Sequence, residues 1–328
     1  MDGYLPINLR ISSAPDAVLW MDCSSSALDD PFFSDTVTRL EAATPPCGTV
    51  QTALAAVIQR GRRFPEVVPA GLIFHISRCG STLVANCARV TDGVRVLSEA
   101  PPVSMVFARP EPGMAGGPAE LRERQFAVLR ALAGIFGHHP AGACSKLVIK
   151  FCSWNLLYIQ AIRELWPTTP CLIIVRNPLE VIISQKWSRS NWAYFKSHPD
   201  IACTTFGWTI SDRTVDSMST DEFMARIIGR LCQVAIESCD GGLCRVLNYE
   251  SLNLDSIIKV GRFFGLELGR KPEELSKVLT TYSKDPNRSR PFVPDQLEKL
   301  NAVTEGVREA CEKWARVPYA RLRELERW

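Results

Sequence analysis

A chain of 328 residues, 46% of them hydrophobic, can build one large core or two modest ones. Its 38 basic and 35 acidic residues leave a net charge of +3, too weak a field to hold nucleic acid as a general property, so any anion site must be local. No stretch approaches the roughly 20 apolar residues of a membrane helix. The opening "MDGYLPINLRISSAPDAVLW" has neither the basic end nor the apolar run of a signal peptide, so a soluble cytoplasmic protein without membrane or nucleic-acid partners is expected. The 12 cysteines include no C-x-x-C pair, and several lie in apolar runs, as Cys171 does in "CLIIV" and Cys232 in "RLCQV". They read as buried reduced thiols rather than a disulfide framework.

Residues 1–66 show an irregular pattern, Pro-rich turns and one helix candidate, "PFFSDTVTRLEA", and read as an N-terminal extension packed on a domain that occupies 67–328. From residue 71 the pattern changes. "GLIFH", "VRVL", "KLVIK", "CLIIV" and "CRVLNY" are short apolar runs separated by segments whose apolar residues recur at helical spacing. That alternation predicts an α/β fold, a doubly wound parallel sheet covered by helices on both faces. Helical spacing is clearest over 119–137, 153–165, 221–238 and 251–265, the last ending on Gly265 as a C-cap, and the tail 295–328 is helical again. Residues 104–118, "SMVFARPEPGMAGGP", form a Gly/Pro-rich loop. In open sheets of this kind ligands bind beyond the carboxyl ends of the strands, so the loops that follow the strands are the places to search.

The first such loop follows "GLIFH": Ser77-Arg78-Cys79-Gly80-Ser81 turns the chain into a helical pattern beginning at Thr82. A helix N-terminus offers unsatisfied N–H groups and a positive dipole end. Gly80 lets neighbouring N–H groups converge, Arg78 adds a charge, and Ser81 and Thr82 add hydroxyl donors, which together make a cradle for phosphate or sulfate. The nucleoside-triphosphate form of this device needs a Gly-Lys pair, and the chain contains none. A second loop follows "CLIIV". There a triphosphate site would place an Asp that holds magnesium, whereas this strand ends in Arg176, which attracts an anion. Asn177, Pro178 and Glu180 then read as N-cap, first helical residue and capping-box partner, with Ser184 two turns along and able to share one phosphate with Arg176.

At these residues the chain resembles the sulfotransferase family, whose sulfuryl donor is 3'-phosphoadenosine 5'-phosphosulfate (PAPS). "SRCGSTLV" is similar to the family's 5'-phosphosulfate loop in the form with Arg, and Arg176, Pro178 and Ser184 match its 3'-phosphate motif. "RVLNYESLNLDSIIKVGRFFGLEL" resembles a third family segment, so that the three motifs run in the family's order over residues 71–269. The resemblance implies a P-loop-type nucleotide-binding (sulfotransferase) fold with helical N- and C-terminal decorations, PAPS as co-substrate and no metal. By position, Arg78, Cys79, Gly80, Ser81, Thr82 and Leu83 would take the 5' end, and Arg176 and Ser184 the 3'-phosphate. Arg288 and Arg290 of "YSKDPNRSRPF" are the candidates for the family's late basic loop, whose Arg-Lys-Gly pattern is absent.

In-line transfer to an alcohol needs a base. The family's His after the third strand has no counterpart in "IKFCSWN", which keeps Lys150, whereas "VRVLSEAPPV" places Glu99 where other members carry a catalytic Glu. Glu99 is therefore the expected base, with Arg78 stabilising the leaving group, and His198 in "WAYFKSHPD" is the alternative base. His75 reads as a core or supporting histidine, His138 and His139 as helix-end capping, and Tyr249 with Glu250 as structural. The expected acceptor is a small hydroxylated metabolite or a sugar, with an amine less favoured, and a homodimer is compatible with the chain. The alternative activity is that of an NTP-dependent P-loop kinase acting on a small molecule.

Overall fold

The computed structural model describes residues 3–10, 16–43, 47–107, 118–141, 144–188, 192–208, 214–239 and 242–328. In chain order, β1 (Tyr4–Arg10), β2 (Ala17–Asp22), α1 (Phe33–Glu41), β3 (Thr49–Ala53) and α2 (Ala55–Gly61) precede the predicted sheet. Then come β4 (Gly71–His75), α3 (Ser81–Ala88), β5 (Val94–Ser98), α4 (Pro101–Ser104), α5 (Pro118–Gly137), β6 (Lys146–Lys150), α6 (Ile159–Leu165), β7 (Cys171–Val175) and α7 (Pro178–Trp187). The remainder is α8 (Trp192–Ser197), α9 (Pro199–Phe206), α10 (Thr214–Ser217), α11 (Thr220–Ser238), β8 (Cys244–Asn248), α12 (Leu254–Phe263), α13 (Pro272–Thr280), α14 (Gln296–Asn301), α15 (Glu305–Trp314) and α16 (Arg316–Arg323).

The last five strands form one sheet in the order β5-β6-β4-β7-β8. All five predicted strands are present, each within a residue of the predicted span. β4 and β7 are buried along their whole length, as strands covered on both faces must be. Strand order reverses at β4, since β5 and β6 lie to one side of it and β7 and β8 to the other. The loop after β4 therefore sits at the topological switch point, where open α/β sheets bind ligands.

The chain divides into two compact units. One holds Met1–Ile73, Thr82–Pro170 and Asn253–Phe292, and the other Phe74–Ser81, Cys171–Leu252 and Val293–Trp328. In the first, residues expected to be irregular form a three-stranded antiparallel sheet in the order β1-β2-β3. Leu5, Ile7 and Leu9 are buried while Asn8 and Arg10 are exposed, a period-2 pattern that Pro6 obscures by sitting where the register shifts. β3 is an edge strand of exposed, mainly polar residues with no apolar signal to read. α1 falls within the helix expected there, and Phe33 on it meets Phe136 of α5 edge-to-face at 5.5 Å. The helix expected over 153–165 starts as a 3-10 turn, Ser153–Tyr158, before α6. Within the expected loop 104–118, residues 104–107 are helical, while 108–117 lie outside the described residues.

In the second unit α11 carries a capping box, Ser219 Oγ accepting from the Glu222 N–H at 3.1 Å and Glu222 Oε2 from the Ser219 N–H at 3.4 Å. Its buried face, from Phe223 to Ser238, packs on α15 and α16. In the first unit α12 ends at Gly265 with φ +65°, the left-handed C-cap expected from sequence. Among the described residues no helix is long and apolar enough to cross a membrane.

Candidate functional site

The loop between β4 and α3 is bent by three residues with positive φ: Ser77 (76°), Arg78 (52°) and Gly80 (83°). A left-handed conformation costs a non-glycine residue roughly 1–2 kcal/mol, so the strain at Ser77 and Arg78 persists only because the surroundings impose it. Those surroundings are specific. The Ser77 N–H donates to His75 Nδ1 at 3.0 Å, the Ser77 hydroxyl accepts from Gln185 Nε2 at 2.9 Å, and the Cys79 thiol donates to the Ile174 carbonyl at 3.1 Å. Cys79 is thus anchored in the sheet, and its contribution to a ligand is confined to its backbone. Gly80 takes a φ that strains any other residue, and a Cβ added there would lie 2.6 Å from Leu252 Cδ1, the end of a flexible side chain, and 3.0 Å from Tyr249 Cδ2 of a ring that would have to give. Ser81 and Thr82, both buried, open α3, with Leu83 half-buried behind them.

The β7–β8 register, Val175 opposite Asn248, brings the next residue of each strand together beyond the sheet edge. Arg176 accordingly lies over the ring of Tyr249, 3.9 Å from its centroid. Its Nε donates to Glu180 Oε2 at 2.8 Å, and Nη2 donates to the same oxygen. The capping box expected at Asn177 is half formed. Asn177 Oδ1 accepts from the Leu179 N–H at 3.0 Å, but the Glu180 carboxylate pairs with Arg176 instead of returning to the cap. An ion pair held by charge-assisted bonds outcompetes one neutral backbone donor for that carboxylate. Ser184, one turn beyond Glu180, accepts from Arg78 Nε at 2.7 Å. Consecutive residues of α7, Ser184 and Gln185, therefore hold the consecutive loop residues Arg78 and Ser77.

Two functional candidates escaped sequence reasoning. Asp295 Oδ1 accepts from Arg176 Nη2 at 3.4 Å and from Lys299 Nζ at 2.7 Å, the lysine lying one turn along α14 with its side chain 4% exposed. Burial pushes the Lys299 ammonium below its ordinary range; Asp295 opposes that, and the charges of Arg176 and Arg78 add to it. Burial alone would raise the Asp295 carboxyl, but Lys299 and then Arg176 outweigh it and hold the group low. Burial raises the Tyr249 phenol, with Arg176 opposing. In sequence, Asp295 and Lys299 look like any i, i+4 pair on a helix surface, which is why no signal marked them.

The first unit carries the carboxylate expected to act as base. Ser98 pairs with Lys150 at the ends of β5 and β6, so Glu99 stands one residue past the edge. Its N–H donates to the Lys150 carbonyl at 2.7 Å and its Oε1 accepts from Lys150 Nζ, an ion pair whose lysine side chain is fully buried and whose carboxylate is 27% exposed. Glu99 has φ +49°, so the turn itself is strained at this residue. The ring of Phe32 covers Lys150 Nζ at 5.0 Å from its centroid. Cys152 lies nearby, accepting from the Ser104 hydroxyl at 3.1 Å, its thiol pushed up to about 12 by burial and then by the Glu99 charge.

Arg288, with φ 52°, donates to the Asp29 carbonyl, and Arg290 stacks on Tyr282 at 5.1 Å. Both belong to the first unit, in a turn fastened by Asp285, whose carboxylate accepts the N–H groups of Asn287, Ser289 and Arg290. His198, in the second unit, stacks on Tyr194 at 4.2 Å with Nδ1 2.9 Å from the Tyr194 carbonyl.

No protein-family model and no curated protein sequence matches the chain. Among solved structures it is similar to a sulfotransferase from Alicyclobacillus acidocaldarius, at 16% identity over 75% of this chain and 94% of that one, with a TM-score of 0.36. It is similar also to a sulfotransferase from Mycobacterium tuberculosis, at 14% identity over 79% and 81% of the two chains, TM-score 0.40. A third likeness is to retinol dehydratase in a complex with retinol and PAP, at 12% identity over 84% and 88%, TM-score 0.36. These overlaps are loose, and the chemistry of the loops stands on the residues themselves.

Proposed function

We propose that this protein is a PAPS-dependent sulfotransferase that moves a sulfuryl group to the hydroxyl of a small metabolite or sugar in the cytoplasm. The observation that carries the reading is the coupling of the strained loop Ser77–Gly80 to α7, through Arg78 on Ser184, next to a strand-end arginine where a triphosphate site would need a metal-binding carboxylate. A backbone nest opening a helix accepts a phosphate-type anion without a lysine. The aromatic face of Tyr249 and the fixed carboxylate of Glu180 hold the Arg176 guanidinium in one orientation, so little rotamer entropy remains to be lost when it meets a phosphate.

PAPS would supply an activated sulfuryl group and a phosphate leaving group. In the step we assign to this chain, a bond forms between the acceptor oxygen and sulfur, the bridging sulfur–oxygen bond breaks, and the acceptor's proton passes to Glu99. Arg78 and the α3 N-terminus stabilise the charge gathering on the leaving oxygen, a role that a guanidinium already held in place performs without reorganisation. Lys150 would position Glu99 through their ion pair, which leaves the carboxylate 27% exposed.

Two measurements test the reading together. Adenosine 3',5'-bisphosphate (PAP) is expected to raise the melting temperature with or without magnesium. Incubation with PAPS and a panel of alcohols, phenols and sugars is expected to yield one product class heavier by a sulfuryl group. Stabilisation by ATP and magnesium alone would overturn the reading in favour of the kinase alternative, and nucleotide binding without turnover on any acceptor would leave a binding protein in its place.

A further inference from the structure

Arg176 touches two carboxylates that differ in kind. Glu180 is fully buried, bound through two guanidinium nitrogens at 2.8 Å or less, and belongs to the same helix start. Asp295 is 39% exposed, lies 3.4 Å from Arg176, and also holds Lys299 at 2.7 Å. Releasing Glu180 would leave a carboxylate stranded in the core, whereas Asp295 can rotate into water and be solvated there. Only the second is replaceable. Arg176 and Lys299 thus converge on a single exchangeable anionic position, within electrostatic range of Arg78. A carboxylate brings one negative charge to that position, while a phosphate monoester brings nearly two and three acceptor oxygens.

We infer that Asp295 is a built-in stand-in for a terminal phosphate monoester, which displaces it from Arg176 and Lys299, and that Lys299 is a phosphate ligand of this protein. The inference rests on the nucleotide reading above and identifies the phosphate as the nucleotide's 3' group, the one on the Arg176 side of the site. Free protein therefore keeps its 3'-phosphate cations neutralised by its own chain, and binding is an exchange of anions rather than the filling of a bare cationic hole. Asp295 is the residue that precedes the six-residue helix α14 and Lys299 lies within it, so the movement this exchange asks for is a side-chain rotation of Asp295.

The test compares PAP with adenosine 5'-phosphate, which lacks the 3' group, by titration calorimetry on wild type, Asp295→Asn and Lys299→Met, each checked for folding by thermal unfolding. Removing the competing charge in Asp295→Asn is expected to tighten PAP roughly 3- to 10-fold, a gain that misfolding cannot mimic. Lys299→Met is expected to weaken PAP at least roughly tenfold, and both variants are expected to bind adenosine 5'-phosphate as the wild type does. Weaker PAP binding by Asp295→Asn would show that Asp295 orients Arg176 and would overturn the exchange. Equal losses for both nucleotides in Lys299→Met would overturn its assignment to the 3' group. If wild type binds PAP and turns PAPS over while both variants bind as wild type, the proposed function stands and this inference fails. If wild type binds no PAP, both fall.

Discussion

Arg176 stacks on Tyr249 and grips Glu180, so removing it alters the packing of the fold as well as the proposed ligand site. Arg176→Ala is expected to destabilise the protein by roughly 3–5 kcal/mol, because a buried carboxylate then loses its main partner. Arg176→Lys keeps the charge and loses the planar fork, and it should weaken PAP binding by roughly 2 kcal/mol with a smaller cost in stability. Calorimetry and denaturant unfolding on both variants separate the two effects, and unchanged PAP affinity in Arg176→Lys would remove the residue from the site. For Glu99, replacement by Gln keeps the size and abolishes the base: turnover is expected to fall roughly 100-fold or more with PAP affinity unchanged. Unimpaired turnover would transfer the role to another group, and His198 is the first to substitute next. Sequence pointed to Arg176 as a cation at a strand end, and to Glu99 through its resemblance to sulfotransferases that carry a Glu at that place. It was silent on how Lys150, Tyr249, Asp295 and Lys299 gather around them, because those partners are 51, 73, 119 and 123 residues away by subtraction of their numbers.

At the scale of elements, the loop from Ser77 to Gly80 works because neighbouring elements hold it in a conformation it would not keep alone. Gly80→Ala adds a Cβ against Leu252 and Tyr249 at φ +83°, and is expected to cost roughly 2–3 kcal/mol of stability and to lower PAP affinity as the nest opens. Urea unfolding and calorimetry check it, and an alanine variant that is both as stable and as tight as wild type would show that the loop geometry is not needed. The five sheet strands were readable because a strand buried on both faces is a short continuous apolar run bounded by turns. The N-terminal sheet was not, since Pro6 breaks the alternation of β1 and β3 buries almost nothing. Likewise the capping box at α7 followed one local rule and a competing local pair overrode it: Glu180 bonds the Arg176 guanidinium four residues back, a charge-assisted partner, instead of the neutral cap N–H.

For the whole molecule, pH response follows from a buried histidine away from the loops. His139 is 4% exposed, and burial followed by the charge of Arg95 pushes its ring down to about 4. An ordinary histidine in the unfolded chain titrates near 6.5. Between those values the unfolded state binds the proton and the native state does not, so stability rises with pH through the window from about 4 to about 6.5 and is lost as pH falls through it. The loss at pH 4 relative to pH 7 from this residue is up to about 3 kcal/mol. Denaturant unfolding of wild type and His139→Gln at both pH values reads it, and an equal acid loss in the variant would place the sensitivity elsewhere.

By itself the amino-acid sequence determined the parallel sheet, and it pointed to two loops after strands as the candidate anion site. Those follow from local periodicity, from Gly80 and from Arg78 and Arg176 after their strands, each legible from its own immediate neighbours in the chain. Only the tertiary structure decided which groups share those loops: the β5–β6 register sets Glu99 beside Lys150, the β7–β8 register sets Arg176 over Tyr249, and the chain beyond Val293 returns Asp295 and Lys299 to the same arginine. Strand register and chain return pair residues far apart in sequence, and no local pattern encodes which distant partner a buried charge will meet.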